Sequence, residues 1–228
     1  MKKTFLLAAF IIFVLAVPLK AQECTYFYPM EKGTIIEMKH YDKKSKATGT
    51  TRQEVIDKQT GGGAVSITIS STFFDEKDEE IMTADLTMEC RDGIFTFSMD
   101  NYLNEEMLAA VGDYEFTIEG DNLEFPANMK AGDVLKDGKI SLTVEGMAML
   151  NMVTTVHNRK VEAVEEITTE AGTFECFKVS YDVLTDAMID MRTKGIEWIA
   201  KDIGAVRTET FNKSGKLTGY SELIKIEK

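Results

Sequence analysis

The residues best suited to catalysis are scarce in this chain. Only two histidines occur among its 228 residues, His40 and His157, and each lies in a stretch that predicts a β-strand. A hydrolytic site pairs a histidine with a serine or cysteine on a shaped turn, and no G-x-S-x-G sequence is present. We therefore predict no catalytic residue, and an unrecognised hydrolase is the least favoured interpretation.

Carboxylates are abundant, but their pattern matches no known type of site. Five acids fall in the six residues 75–80 (DEKDEE), yet the D-x-[DN]-x-[DN]-G alternation of a calcium loop is absent. A glycosidase needs two acids across a cleft with aromatic platforms for the sugar, and the chain has one tryptophan. We expect surface acids, a solvated hairpin tip at 75–80, no metal site and no cofactor. The close pairs are Glu105 with Glu106, Glu165 with Glu166, and Asp186 with Asp190.

Thirteen methionines are many for this length. Their alternation with polar residues favours ordinary core first, an apolar ligand cavity second and a copper(I) site a distant third, because thioethers fill irregular apolar space and also bind copper(I). If a ligand cavity exists, we expect it to be lined by these residues: Met82, Leu86, Met88, Leu103, Met107, Met147, Met149 and Trp198.

The first residues predict export. Lys2 and Lys3 precede an apolar run from Phe5 to Val17, and Ala21 ends a plausible cleavage sequence. The run is too short for a comfortable membrane span of roughly 20 residues. We expect a signal peptide over 1–21, one domain over 22–228, a periplasmic or secreted location, and no integral membrane protein after cleavage.

The charge balance of the expected mature chain is strongly acidic. Removing the leader leaves 23 basic against 38 acidic side chains, a net charge of −15. Nucleic-acid binding calls for a basic face, so we expect no nucleic-acid partner.

Three cysteines are present, Cys24, Cys90 and Cys176. In an oxidising compartment the simplest count is one disulfide and one free thiol. Cys90 ends a predicted strand on its apolar face, and Cys24 lies on a lead-in segment that needs tethering, so we favour that pair. All three pairings remain open at this stage.

The elements that must position these residues are mainly strands. Alternating apolar and polar residues recur in about a dozen short runs, separated by turn residues at intervals of roughly 8 to 12. No βαβ alternation occurs, which favours an antiparallel meander forming a curved sheet, half-barrel or barrel. Asn158 to Thr169 is predicted as a strand separate from those over 140–157. One short amphipathic helix is predicted near 101–111, where it could cover an open end of the sheet.

The last seventy residues resemble a known family. The runs ITTEAGTFECFKVSY (167–181), EWIAKDIGAVRTETF (197–211) and GKLTGYSEL (215–223) are similar to the TapB-like group of secreted bacterial proteins, which is related to a larger uncharacterised domain family. The resemblance implies an envelope protein with a curved antiparallel sheet. That family has no established catalytic residues, so the resemblance assigns none.

Two classes of function remain open. The first is a non-enzymatic periplasmic or secreted protein that binds an apolar small molecule or lipid-like ligand in a curved β-sheet. The second is an envelope interaction or scaffolding module with a filled core, whose partner is another envelope protein. A concave face completely filled by side chains would exclude the first.

Overall fold

A computed structural model describes residues 25–102, 112 and 114–228, and it is almost entirely antiparallel β-structure. Short 3-10 turns cover Met99–Tyr102 and Ala148–Leu150. Thirteen strands are found in the described ranges: β1 Ile35–Asp42, β2 Ala47–Gly61, β3 Ala64–Asp75, β4 Glu80–Arg91, β5 Ile94–Phe97, β6 Phe116–Asp121, β7 Leu123–Pro126, β8 Gly138–Val144, β9 Met152–Thr169, β10 Gly172–Asp186, β11 Met191–Ala200, β12 Gly204–Asn212 and β13 Leu217–Glu227.

The strands form one sheet in the order β6-β8-β9-β10-β11-β12-β13-β1-β2-β3-β4-β5-β7. Its two edge strands, β6 and β7, are consecutive in the chain and are separated only by Asn122. Since neighbouring Cα atoms lie about 3.8 Å apart, this single residue brings the two edges of the sheet together. The sheet therefore curves into a nearly closed barrel. The Asn122 Oδ1 atom accepts a hydrogen bond of 3.2 Å from the backbone N–H of Met99, which fixes the seam.

The hairpin turns follow from local side-chain chemistry. Asp75 Oδ1 accepts backbone hydrogen bonds from Lys77 (2.8 Å) and Glu79 (2.9 Å), so the acidic run forms the tip between β3 and β4, as predicted. Asp42 and Asn212 accept equivalent bonds in the turns that follow β1 and β12. Such a side chain replaces a backbone acceptor and stabilises the reversal.

One strand prediction was wrong, and the short helix stays a prediction. The separate strand at Asn158–Thr169 is instead part of β9, which runs unbroken from Met152. Asn158 has a positive φ of 55°, and the register of the pairing with β10 shifts between His157 and Lys160, so the residue belongs to a bulge that does not end the strand. The helix predicted at 101–111 lies almost wholly outside the described residues.

The core lies inside the barrel and contains side chains from both halves of the sheet. Ile36, Val55 and Ile69 on the β1–β3 side pack in one cluster with Val179 and Ile199 on the β10–β11 side. A separate small cluster of Leu142, Val144 and Met152 lies where β8 meets β9. The main cluster surrounds an interior cavity.

Candidate functional site

A cavity of about 220 Å³ lies inside the barrel. Its wall is contributed by strands from both halves of the sheet and by the lead-in segment before β1. Most of the lining side chains are apolar, and the convergent polar ones are few. The lining residues are Phe27, Tyr28, Ile36, Met38, Gln53, Met88, Phe95, Phe97, Leu123, Phe125, Tyr181, Glu197, Ile199, Ile203, Gly204 and Ala205.

The lead-in segment enters the barrel and forms part of this wall. The Phe27 ring lies 6.1 Å from the ring of Phe95 and 5.8 Å from that of Phe177, both edge-on. These two partners belong to strands on opposite sides of the barrel, so Phe27 joins the sides. Tyr28 packs over Gly204, where an added Cβ would lie 3.1 Å from the tyrosine ring. The aromatic cluster near the start of the chain is therefore structural core and also cavity wall.

Tyr28 and Gln53 form one polar point on the wall. The Tyr28 hydroxyl donates a hydrogen bond of 3.2 Å to Gln53 Oε1, and the Gln53 amide donates one of 3.4 Å to Ser71 Oγ. Burial raises the pKa of Tyr28 well above its ordinary value, so the hydroxyl stays protonated. This point can donate or accept a hydrogen bond but carries no charge.

Glu197 is the second polar point and, among the residues that the structure describes, the only carboxylate that lines the cavity. It lies on β11 two residues before Ile199, and this spacing places both side chains on the cavity face. Burial raises the pKa of Glu197 to about 7, while attraction to the Arg159 charge works in the opposite direction. At neutral pH the carboxyl is therefore divided between its protonated and ionised forms, and it can act as hydrogen-bond donor or acceptor.

Arg159 is the buried cation behind this carboxyl. Its Nη1 atom donates hydrogen bonds to the backbone oxygens of Glu124 (3.2 Å) and Lys136 (2.5 Å). Its guanidinium also lies 4.7 Å from the centre of the Phe125 ring, which lines the cavity. Arg159 thus connects β9 to β7 and to the segment before β8, close to the seam of the barrel.

The histidines do not form a catalytic constellation in the part of the chain that the structure describes. His40 contacts two hydroxyls, Ser221 Oγ at 2.7 Å from Nδ1 and Thr51 Oγ1 at 2.6 Å from Nε2. Burial lowers the pKa of His40, so the ring is neutral near pH 7 and no carboxylate orients it. His157 lies outside the cavity, opposite Asp182 in the β9–β10 pairing. Within the described ranges, no cluster of three or more histidine, cysteine or acidic side chains could hold a metal ion.

The predicted lining residues separate into three groups. Met88 lines the cavity, and Leu86 and Met82 follow on the same face of β4 as half-buried side chains nearer the hairpin tip. Met147 packs against the small cluster, and Met149 is 58% exposed. Trp198 points away from the cavity. Leu103 and Met107 lie outside the described residues.

Trp198 is positioned by polar contacts on the opposite face of β11. Its Nε1 donates a hydrogen bond of 2.6 Å to Glu165, and the ammonium of Lys178 lies 5.0 Å from its ring. Because Glu197 and Ile199 on either side of it face the cavity, the indole must face away. Arg207 extends this face and pairs with Glu222.

The states of Cys90 and Cys176 match the prediction of one disulfide and one free thiol. Cys90 is disulfide-bonded, and Cys176 is a free, buried thiol. Burial raises the pKa of Cys176 to about 11, so it is a poor nucleophile at neutral pH. Cys24 lies outside the described residues, and its pairing with Cys90 stays a prediction.

Several cavity residues were missed by sequence reasoning. Met38, Tyr181 and Glu197 each lie in a strand of alternating residues, yet nothing local distinguishes the concave face from the convex one. The one usable signal was Glu197 itself, an acid that shares a strand face with Ile199.

Fold and cavity together define a class of protein: an antiparallel sheet rolled into a nearly closed barrel around a small, mainly apolar cavity. The sequence assigns the chain to a family. It belongs to the DUF3108-like family, whose profile matches residues 31–223. A comparison with curated proteins finds no match.

Two solved structures share this fold. A candidate exported protein with a YmcC-like fold from Bacteroides fragilis NCTC 9343 is 26% identical, with a TM-score of 0.72 over 90% of this chain and 100% of that one. A candidate lipoprotein from Parabacteroides distasonis ATCC 8503 is 22% identical, with a TM-score of 0.74 over the same shares of the two chains. Among the residues that our structure describes, no helix has the length and apolarity to cross a membrane.

Proposed function

We propose that this protein is a non-enzymatic, exported envelope protein that binds a small apolar ligand, or the apolar end of a larger one, inside its barrel. The observation that carries the proposal is the interior cavity with its apolar wall and two polar points. Ligand sites are typically concave and apolar, with a few convergent polar groups that fix orientation. The apolar wall would hold the body of the ligand, and the polar points would receive its polar group.

The cavity volume limits the size of this ligand. An apolar cavity of about 150 Å³ is known to hold benzene, and drug-sized sites begin near 300 Å³. At about 220 Å³ the cavity fits a monocyclic or short-chain compound, or one end of a lipid. A whole long-chain lipid does not fit inside it.

The polar groups of the cavity limit the chemistry of the ligand. A ligand with a hydroxyl or amine would find the carboxyl of Glu197 as a hydrogen-bond partner and the Tyr28–Gln53 pair as a second one. A permanently anionic head group would be repelled by Glu197 in its ionised form. We therefore expect neutral or weakly basic ligands that have one polar group.

Three observations support export to the envelope. The leader-like sequence over 1–21 predicts a signal peptide with cleavage after Ala21. One solved neighbour is named as a candidate exported protein and another as a candidate lipoprotein. Cys90 is disulfide-bonded, as expected in an oxidising compartment. Within the family, the TapB-like group is our proposal for its nearer relatives.

The test is calorimetric titration of the protein with a series of n-alkanols and with benzyl alcohol. We expect saturable binding that strengthens with chain length and then stops improving when the cavity is full. The variant Ala205→Leu adds three carbon atoms to the cavity wall and should abolish binding of the longer members first. Val134→Leu is the matched control, because Val134 is 79% exposed and lies outside the cavity. Equal binding by the two variants would refute the proposal.

A further inference from the structure

A groove with a basic lining lies on the outer face of the barrel. Tyr181 and the adjoining cavity wall face inward, so the next residue along β10, Asp182, points outward with its β11 partner Lys194. The groove has a volume of about 270 Å³ and is formed by β9, by the end of β10 and the start of β11, and by the turn after β12. We call it the basic groove; its lining residues are His157, Asp182, Val183, Leu184, Arg192, Thr193, Lys194 and Lys213.

The charge of this groove is opposite to that of the chain. Arg192, Lys194 and Lys213 supply three positive charges against the single carboxylate of Asp182. That carboxylate already lies 3.5 Å from Lys194 Nζ and accepts a hydrogen bond of 2.8 Å from Asn158. The excess positive charge stands out in a chain of formal net charge −12. Arginine and lysine together form a common binding set for phosphate oxygens.

An exposed apolar tip adjoins the groove. The β10–β11 hairpin ends in Met188, Ile189 and Met191, which are 74%, 77% and 60% exposed. We call these three residues the hairpin tip. Arg192 of the groove follows Met191 directly in the chain, and Met149 meets Met188 around a neighbouring shallow pocket. Apolar side chains of this size are seldom left exposed in a cluster unless they contact a partner or a membrane.

We propose that this end of the barrel docks on a phospholipid membrane. The basic groove takes the phosphate group of a lipid, while the hairpin tip enters the boundary between head groups and acyl chains. Interfacial binding of this kind combines buried apolar area with cations that contact phosphates. A free phosphate ion would use the groove alone and would leave the exposed tip without a role, which is why the lipid is favoured.

The acids of the turn set the electrostatics of this contact. Asp186 lies two residues before the hairpin tip and Asp190 lies between Ile189 and Met191 within it, so attraction to phosphate must come from the groove cations. At physiological salt a charge is screened beyond about 8 Å, so the rest of the acidic chain contributes little repulsion. The contact does not involve the interior cavity and does not depend on the function proposed for it.

The experiment is co-sedimentation of the full chain with vesicles of phosphatidylethanolamine and phosphatidylglycerol at physiological salt. The double variant Met188→Ser/Ile189→Ser should weaken binding by about tenfold for each side chain replaced. Arg192→Ser and Lys213→Ser should each weaken it by about fivefold. Val134→Ser and Lys58→Ser are the matched controls, since both residues are exposed and lie away from the groove; they should bind as the unmodified protein does.

Other outcomes overturn the proposal. If the unmodified protein does not sediment with vesicles, or if the control variants weaken binding as much as the tip variants, the docking surface is not where we place it. If inorganic phosphate binds in the groove and vesicles do not bind, the groove is a site for soluble anions. If the tip variants instead abolish self-association in size-exclusion chromatography, the occupant is a second copy of the chain. Ala205→Leu should leave vesicle binding unchanged, so failure of the cavity proposal would be recognised separately.

Discussion

Replacing Glu197 with glutamine should make stability less dependent on pH. The Glu197 carboxyl has its ordinary pKa of 4.5 in the unfolded chain. In the folded protein its pKa is about 7, because burial disfavours its charged form. The folded state therefore holds the proton more tightly than the unfolded state. Stability from this group is fully present below pH 4.5 and is lost as the pH rises to about 7.

The magnitude follows from the size of the shift. A displacement of the pKa from 4.5 to about 7 corresponds to about 3 kcal/mol at roughly 1.36 kcal/mol per pKa unit. Glu197→Gln removes this titration and keeps the shape of the side chain. We expect the variant to match the unmodified protein at pH 4 and to be more stable by about 2 to 3 kcal/mol at pH 8.

Chemical denaturation at a series of pH values measures this difference directly. Glu119→Gln is the matched control, because it makes the same chemical change at an exposed position on β6. If Glu197→Gln changes the free energy of unfolding equally at pH 4 and pH 8, the carboxyl is not held in a desolvated environment. The assignment of Glu197 to the interior cavity would then be refuted.

Three further substitutions test the barrel itself, each by equilibrium unfolding. Arg159→Met should cost about 3 kcal/mol or more, because two backbone carbonyls near the seam lose a charged donor. Gly195→Ala should cost about 1 to 3 kcal/mol, since its Cβ would lie 2.3 Å from the Tyr181 ring, whereas Gly61→Ala, with no atom within 4 Å, should be nearly neutral. Cys90→Ser should cost about 2 to 4 kcal/mol, and no loss would mean that the disulfide contributes nothing to stability.

Most of the strands could be predicted because their signals are local. Alternation of apolar and polar residues depends only on the two-residue period of a strand, and turn residues such as Asp42 and Asp75 act on their own neighbours. Asn158 was misjudged because a bulge and a strand end share the same residue preferences. Only its pairing on both sides shows that β9 continues.

Most of the cavity wall could not be predicted, because it depends on contacts between distant segments. Closure at Asn122 brings β6 and β7 together, and nothing in the local sequence shows that these short strands form the two edges of one sheet. Alternation shows which residues share a face, but not which face is concave. For this reason Trp198 was expected in the cavity while its neighbour Glu197 was not considered.

The central claim, that the interior cavity binds a small apolar ligand, is tested most directly by NMR of methionine methyl groups. Met38 and Met88 line the cavity, whereas Met149 and Met188 are exposed on the outside of the barrel. Titration with an n-alkanol should shift the methyl signals of the first pair in a saturable way and leave those of the second pair unchanged. Absent shifts at Met38 and Met88, or shifts confined to the exposed pair, would contradict the claim.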